Sequence, residues 1–127
     1  MVKNSLESLI TFHCAPTLAG IKSANLFTWH HTNGQSTDGN MDVTRAKLAP
    51  YGISMEVLCR CDSHALIFVY RADMLRGLFT AEAERFLEGC GYAAGSDIAE
   101  KIAALKSRLV ERGEFPHEIG VFLGYPL

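Results

Sequence analysis

The sequence predicts an α+β domain with a small, mostly antiparallel sheet of about three strands packed against helices. Two neighbouring segments, residues 53–61 and 64–71, carry strand patterns and are separated by a short polar turn. Helical periodicity dominates the chain after residue 80. A length of 127 residues, of which 48% are hydrophobic, suits a single domain over residues 1–127 with its own buried core.

Charge and composition exclude several classes of protein. The net charge of −2 offers no basic surface for phosphate backbones, so no nucleic acid partner is expected. The first residues lack the features of a signal peptide, and no apolar run is long enough to span a membrane. A cytoplasmic protein with no membrane contact is therefore expected, and its four cysteines are expected to be free thiols.

The first third of the chain predicts a helix, a turn, a strand and a loop. Apolar residues at helical spacing behind an Asn-x-x-Glu capping pattern predict a helix over Asn4–Cys14. Pro16 disfavours its continuation, so Ala15–Lys22 is expected to form an ordered turn. Strand-forming residues predict a strand over Ala24–His30. Turn-forming residues without a large apolar anchor predict a flexible surface loop over Thr32–Asn40.

The middle of the chain predicts a short helix and a β-hairpin. The helix contains Met41 and Leu48 and ends at Pro50. Residues 53–61 alternate between apolar and polar types, which predicts a half-buried strand. One face of that strand should carry Ile53, Met55, Val57, Cys59 and Cys61. The following segment, Ala65–Tyr70, is apolar at every position, which is typical of a central strand covered on both faces.

The last third of the chain predicts helices. Thr80 is positioned to cap the first of them, which should end near Gly89. A capping pair formed by Asp97 and Glu100 opens the second, which Gly113 should end. Its inward residues should be Ile98, Ile102, Leu105 and Leu109, and its outward residues Lys101, Lys106, Arg108 and Glu111. The segment from Phe115 to Gly124 favours a short helix over a strand.

Two blocks of sequence resemble the signatures of an uncharacterised bacterial family, the domain of unknown function 3793. The first reads His-Cys-Ala-Pro-Thr-Leu-Ala-Gly-Ile-Lys from His13, followed by Asn-Leu-Phe from Asn25; the second reads Phe-Pro-His-Glu-Ile-Gly-Val-Phe-Leu-Gly-Tyr-Pro from Phe115. The order of elements between the blocks is also similar, so the resemblance spans nearly the whole chain. It implies no established activity. It also implies that this chain lacks a tail of some tens of residues, which would leave the apolar C-terminus able to form a homo-oligomer.

These blocks also contain the residues best suited to chemistry. Their polar side chains, His13, Cys14, Lys22 and His117, predict a ligand-binding site between residues 13–22 and 116–125. The same residues suit a thiol enzyme in which Cys14 is the nucleophile, His117 the base and Glu118 its orienting acid. The structural alternative is that His13 and Cys14 simply pack in the core.

A metal site is a further hypothesis. Cys61 and His64 lie close together at the predicted hairpin turn and could supply two ligands. The Cys59-Arg60-Cys61 spacing lacks the two-residue spacer of zinc knuckles, and packing of both thiols in the core is the alternative.

The sequence supports three functional hypotheses. The first is a cytosolic protein that binds a small ligand such as a metal, a haem-like group or an anionic small molecule. The second is the Cys14-dependent thiol enzyme. The third is an interaction module without a small-molecule site. Neither the cofactor nor any enzymatic reaction follows from the residues alone.

Overall fold

The computed structural model describes residues 6–30, 37–60, 64–112 and 116–125. Seven helices and three strands are found in these residues, together with a 3-10 turn at Ala49–Tyr51. In chain order they are α1 (Leu6–His13), α2 (Ala15–Leu18), β1 (Ala24–His30), α3 (Thr37–Leu48), β2 (Ile53–Arg60), β3 (His64–Arg71), α4 (Ala72–Arg76), α5 (Ala81–Gly89), α6 (Ile98–Arg112) and α7 (Ile119–Phe122).

The strands form one antiparallel sheet in the order β1-β3-β2. The central strand β3 is buried at every position from Ala65 to Tyr70. This confirms the predicted α+β fold, its three strands and the central place of the apolar segment. Because successive side chains of a strand point to opposite faces, a strand buried throughout requires cover on both sides of the sheet.

The first face of the sheet, here called the α1 face, is covered by α1 and α3. Its core contains Ala65, Ile67 and Val69 of β3, together with Leu6 and Ile10 of α1, Cys14, Phe27, Trp29, Met41, Ile53 and Met55. The core of this face is therefore assembled entirely from residues that precede position 70.

The opposite face, here called the α6 face, is covered by α5, α6 and α7. Its core contains Leu66, Phe68 and Tyr70 of β3, and the helices contribute Ala83, Leu87, Ile102, Leu105, Leu109, Val121 and Phe122. The inward stripe predicted for α6 is confirmed at Ile102, Leu105 and Leu109. Phe122 lies near the centre, with its ring edge-on to the rings of both Phe68 and Phe79.

A β-bulge in β2 overturns one predicted side-chain direction. Val57 pairs with Ile67, but the next paired residue is Cys59, opposite Leu66, so Leu58 is an extra residue in the strand. Leu58 and Cys59 consequently both pack on the α6 face. The prediction that Cys59 shares a face with Val57 is wrong, because simple alternation cannot anticipate an inserted residue.

Three helical segments also differ from the predictions. The loop expected over Thr32–Asn40 is wrong from Thr37 onwards, since α3 starts there; residues 32–36 lie outside the described part of the chain. The expected turn Ala15–Lys22 begins with the four-residue helix α2, whose first turn accommodates Pro16. Helix α4 was not predicted, because five residues are too few to show a periodicity.

The capping predictions for α5 and α6 are confirmed. The Thr80 hydroxyl accepts a hydrogen bond from the Ala83 amide. Asp97 accepts one from the Glu100 amide at 2.8 Å, and the Glu100 side chain accepts one from the Asp97 amide at 3.3 Å.

Lys101 is a correction to the predicted outward face of α6. It is buried, with 2% of its surface exposed. Its Nζ lies 2.8 Å from Glu84 Oε1, donates to the Ser96 carbonyl oxygen and sits 5.0 Å from the centre of the Phe79 ring. The long side chain buries its methylene groups while its charge keeps polar partners, so helical periodicity alone assigned it wrongly.

The predicted short helix near the C-terminus is confirmed as α7. Val121, Phe122 and Leu123 are buried within the chain's own core, whereas Tyr125 is 58% exposed. Three of the apolar residues that motivated the expectation of a homo-oligomer therefore stabilise the monomer. The oligomeric state itself stays a prediction.

Arg71, at the end of β3, joins separate parts of the fold. Its guanidinium donates to the carbonyl oxygens of Thr17 at 2.7 Å, Leu18 at 2.8 Å and Tyr51 at 3.1 Å. These carbonyls lie at the C-terminal ends of α2 and the 3-10 turn, where helical carbonyls lack partners within their own helix. A positive charge at such an end is also favourable electrostatically.

We expect Arg71→Lys to lower the free energy of unfolding by about 1–3 kcal/mol, because one ammonium group cannot reach carbonyls on two separate elements. The matched control is Arg76→Lys, since Arg76 is largely exposed and pairs with Asp73 within one turn of α4. That change should cost less than about 0.5 kcal/mol. Urea denaturation measures both; equal costs would show that the Arg71 hydrogen bonds contribute little.

Candidate functional site

Cys14 lies at the junction of α1 and α2 and is completely buried in the α1-face core. Burial raises the pKa of its thiol to about 12, and the positive charge of Lys22 offsets only part of this effect. A nucleophilic cysteine needs the opposite arrangement, with a lowered pKa and access to solvent. The core-packing alternative describes Cys14 in this structure.

His13 is exposed at the end of α1. Its ring stacks on that of Phe27 at 5.2 Å and meets the Phe12 ring edge-on at 5.0 Å. Phe27 belongs to the α1-face core, so His13 is fixed against that side of the sheet. It forms part of an aromatic stack with Phe12 and Phe27.

His117 and Glu118 lie on the other side of the sheet, beside α6. His117 is exposed, whereas Glu118 is 1% exposed. The Glu118 carboxylate accepts hydrogen bonds from Arg108 Nε and from the Tyr92 hydroxyl, the latter at 3.1 Å. Burial and the Glu118 carboxylate together raise the pKa of Tyr92. Glu118 therefore fixes α7 to α6 and is not oriented towards His117 as the acid of a catalytic triad.

Lys22 and Tyr125 bring the two blocks into contact. The Lys22 ammonium lies 5.6 Å from the centre of the Tyr125 ring, a cation–π arrangement. This contact joins the segments 13–22 and 116–125 as the sequence suggested. It does not bring His13 or Cys14 to His117, which are attached to opposite faces of the sheet. Ligand binding by these four residues stays a prediction, and none of the four lines the cleft described below.

The hypothesis of a metal site at Cys61 and His64 falls partly outside the described residues, because Cys61 is not among them. His64 begins β3 and lies directly opposite His30 of β1. Among the residues that the structure describes, no group of three or more His, Cys, Asp or Glu side chains is arranged to hold a metal ion.

The structure contains a cleft that the sequence did not predict. It has a volume of about 370 Å³ and lies between the end of the hairpin, α4 and the first half of α6. Its polar lining consists of Glu56, Tyr70, Arg76, Asp97 and Lys106. Its apolar lining consists of Ala72, Ile98, Ala99, Ile102 and Ala103. Ligand sites commonly combine such an apolar surface with a few converging polar groups.

Charges of both signs surround the cleft. Lys106 Nζ lies 3.3 Å from Glu56 Oε2, with roughly a third of each side chain exposed. Burial raises the pKa of the Tyr70 hydroxyl, the Glu56 carboxylate raises it further, and a hydrogen bond with Ser54 partly opposes both effects. Tyr70 therefore stays protonated at neutral pH and presents a neutral hydroxyl group to the cleft.

One sequence signal pointed towards this cleft. Glu56 and Ser54 occupy the polar side of β2, which the alternation pattern alone assigns to solvent. The neighbouring β3 is apolar on both faces, however, so a helix had to cover that side as well. Polar residues at the margin of a covered face are candidates for lining a pocket.

We expect Cys14 to resist alkylation in the folded protein. Raising the thiol pKa from 9.0 to about 12 lowers the thiolate fraction at pH 8 about a thousandfold, and burial blocks access as well. Iodoacetamide labelling followed by peptide mass spectrometry should show slow modification of Cys14 in native protein and fast modification in urea. Equal rates in both conditions would restore Cys14 as a candidate nucleophile.

We expect Glu118→Gln to destabilise the protein by about 3 kcal/mol, because it leaves the Arg108 charge without its buried partner. The control, Glu88→Gln, changes an exposed glutamate on α5 and should cost less than about 0.5 kcal/mol. Thermal or urea unfolding measures both. A small effect at Glu118 would mean that water replaces the lost partner.

Comparisons with known proteins identify a family without assigning an activity. Neither the curated proteins nor the solved structures include a match to this chain. Of the helices in the described ranges, none has the length and apolar character needed to cross a membrane. The model of the family described as "Protein of unknown function (DUF3793)" matches residues 10–127, nearly the whole chain. The chain therefore belongs to the DUF3793 family.

Proposed function

We propose that this protein binds a small zwitterionic molecule in the cleft between the hairpin and α6. The observation that carries the proposal is the convergence of opposite charges around an apolar surface within one cavity of about 370 Å³. Ligand pockets typically have volumes of about 300–1,000 Å³, so the cleft suits a small ligand.

The charges suggest how such a ligand would be held. The Glu56–Lys106 pair is about one-third exposed and its atoms are 3.3 Å apart, so it contributes little stability by itself. A ligand carboxylate can replace Glu56 at Lys106, and a ligand ammonium group can then pair with Glu56. The Tyr70 hydroxyl and Arg76 lie in the same lining and supply further hydrogen bonds.

The apolar lining suggests the rest of the ligand. Ile98 and Ile102 lie on the same side of α6, and Ala72 and Ala103 leave space beside them. An aliphatic or aromatic group of a few carbon atoms would fill this space and leave its charged groups at the polar lining. The proposed ligand class is thus an amino-acid-like zwitterion with an apolar side chain.

The geometry supports this proposal better than the thiol-enzyme hypothesis. Cys14 is buried, its pKa is raised, and it is attached to the face of the sheet opposite His117. A cleft with paired charges requires none of these residues. We therefore retain the small-ligand hypothesis and propose the cleft as a binding site; ligand binding between residues 13–22 and 116–125 stays a separate, untested prediction.

We expect free amino acids with apolar side chains to shift the backbone NMR signals of residues 98–103 and Tyr70 in the wild-type chain. N-acetylated and amidated forms of the same amino acids remove one charge each, and both should bind at least about tenfold more weakly if the two charges are recognised. Equal binding by the charge-deleted forms, or shifts elsewhere in the protein, would contradict the proposal.

Two variants of α6 provide a matched test. Ala103→Phe should fill the cleft and abolish the shifts, whereas Val110→Phe changes a residue of the same helix that is 74% exposed and does not line the cleft. Both sites are exposed, so both variants should keep wild-type stability within about 0.5 kcal/mol. Unchanged binding in Ala103→Phe would place the ligand outside this cleft.

A further inference from the structure

Two histidines face each other across neighbouring strands at one end of the sheet. His30, the last residue of β1, is paired directly with His64, the first residue of β3. Their ring centroids are 5.7 Å apart and their planes are inclined by 44°. His30 is exposed and His64 is half-buried, so neither ring is enclosed in the core.

This separation is close to that of two imidazoles bound to one metal ion. A zinc ion bonds an imidazole nitrogen at about 2.0–2.1 Å, which places each ring centroid about 3.2 Å from the ion and the two centroids about 5.2 Å apart at a tetrahedral angle. The observed distance is half an ångström longer. Rotation of the two side chains, of which His30 is exposed and His64 half-buried, would have to supply the remaining half ångström.

The strand pairing supplies the preorganisation that a two-ligand site needs. Directly opposite residues of an antiparallel pair have their Cβ atoms about 4.5–5.5 Å apart and their side chains on the same face. Arg60 pairs with Ala65 and so shares the α1 face, away from the histidines. Neighbouring Thr28 of β1, on the histidine side, is exposed and uncharged.

We propose that His30 and His64 form a two-histidine site for a divalent transition metal ion of the zinc, nickel and copper class. Imidazole nitrogen is a preferred ligand for these ions, and water would complete the coordination. The site is separate from the ligand cleft, since Tyr70 lies six residues further along β3, or about 20 Å. A bound ion would join β1 to β3 at the end of the sheet.

Zinc titration of the full chain, followed through the NMR signals of the histidine rings, tests the proposal. His30 and His64 should shift together and saturate at one equivalent of zinc, while His13 and His117 serve as internal controls and should not shift with them. Zinc is diamagnetic, so each ring signal reports its own site even if a thiol binds zinc elsewhere. Unchanged His30 and His64 signals would overturn the proposal.

Matched variants separate a shared site from two independent rings. His64→Gln should weaken zinc binding at His30 at least about tenfold, and His30→Gln should do the same at His64, because each removes one of two ligands. His13→Gln and His117→Gln should leave the zinc affinity unchanged. If His30 binds zinc with unaltered affinity in His64→Gln, the two rings do not share an ion.

Trp29 provides a second readout. It is the only tryptophan in the chain, is 3% exposed and directly precedes His30. Nickel does not oxidise the thiols, and it should change the Trp29 fluorescence of the wild-type protein in a saturable manner. In both histidine variants, the nickel affinity obtained from this change should be at least about tenfold lower. Without metal, each variant should have the same Trp29 fluorescence as the wild type, which would verify that the variant is folded. An equal response in wild type and variants would contradict the proposal.

Discussion

The apolar character of β3 on both faces is the constraint on which the rest of this structure depends. Every side chain from Ala65 to Tyr70 is buried, so each face of the sheet requires its own cover. The chain meets this requirement with two separate cores, one on each face of the sheet. The cleft lies where α6 packs beside the polar side of β2, with Lys106 of α6 at 3.3 Å from Glu56 of β2.

Buried or half-buried cations fix the covering helices to one another. Arg71 donates hydrogen bonds to carbonyl oxygens at the ends of α2 and the 3-10 turn. Arg108 donates to the Glu118 carboxylate and the Cys90 carbonyl oxygen, and Lys101 forms an ion pair with Glu84. Because hydrogen bonds are directional, these contacts restrict both the orientation and the separation of the elements that they join. Apolar packing supplies most of the driving force for burial, and these contacts select the arrangement in which the helices pack.

Local patterns in the sequence predict the strands, the capped helices and the central position of β3, because each depends on residues close together in the chain. The bulge at Leu58 and the buried Lys101 escape such prediction, since each depends on a distant partner: the register against β3 and the carboxylate of Glu84. The cleft escapes for the same reason. Tyr70, Glu56 and Lys106 carry no motif and converge only after the hairpin has packed on α6.

The residues of the two cores are also completed at different times during synthesis on the ribosome. Every residue of the α1-face core has been made once Val69 is added, and that core can form while the chain is still growing. The α6-face core includes Leu123, so its completion must wait for more than fifty further residues. During that interval the second face of β3, with Leu66, Phe68 and Tyr70, lacks the helices that cover it in the folded protein. A nascent chain that formed its first core early would leave this face open to chaperones or to aggregation.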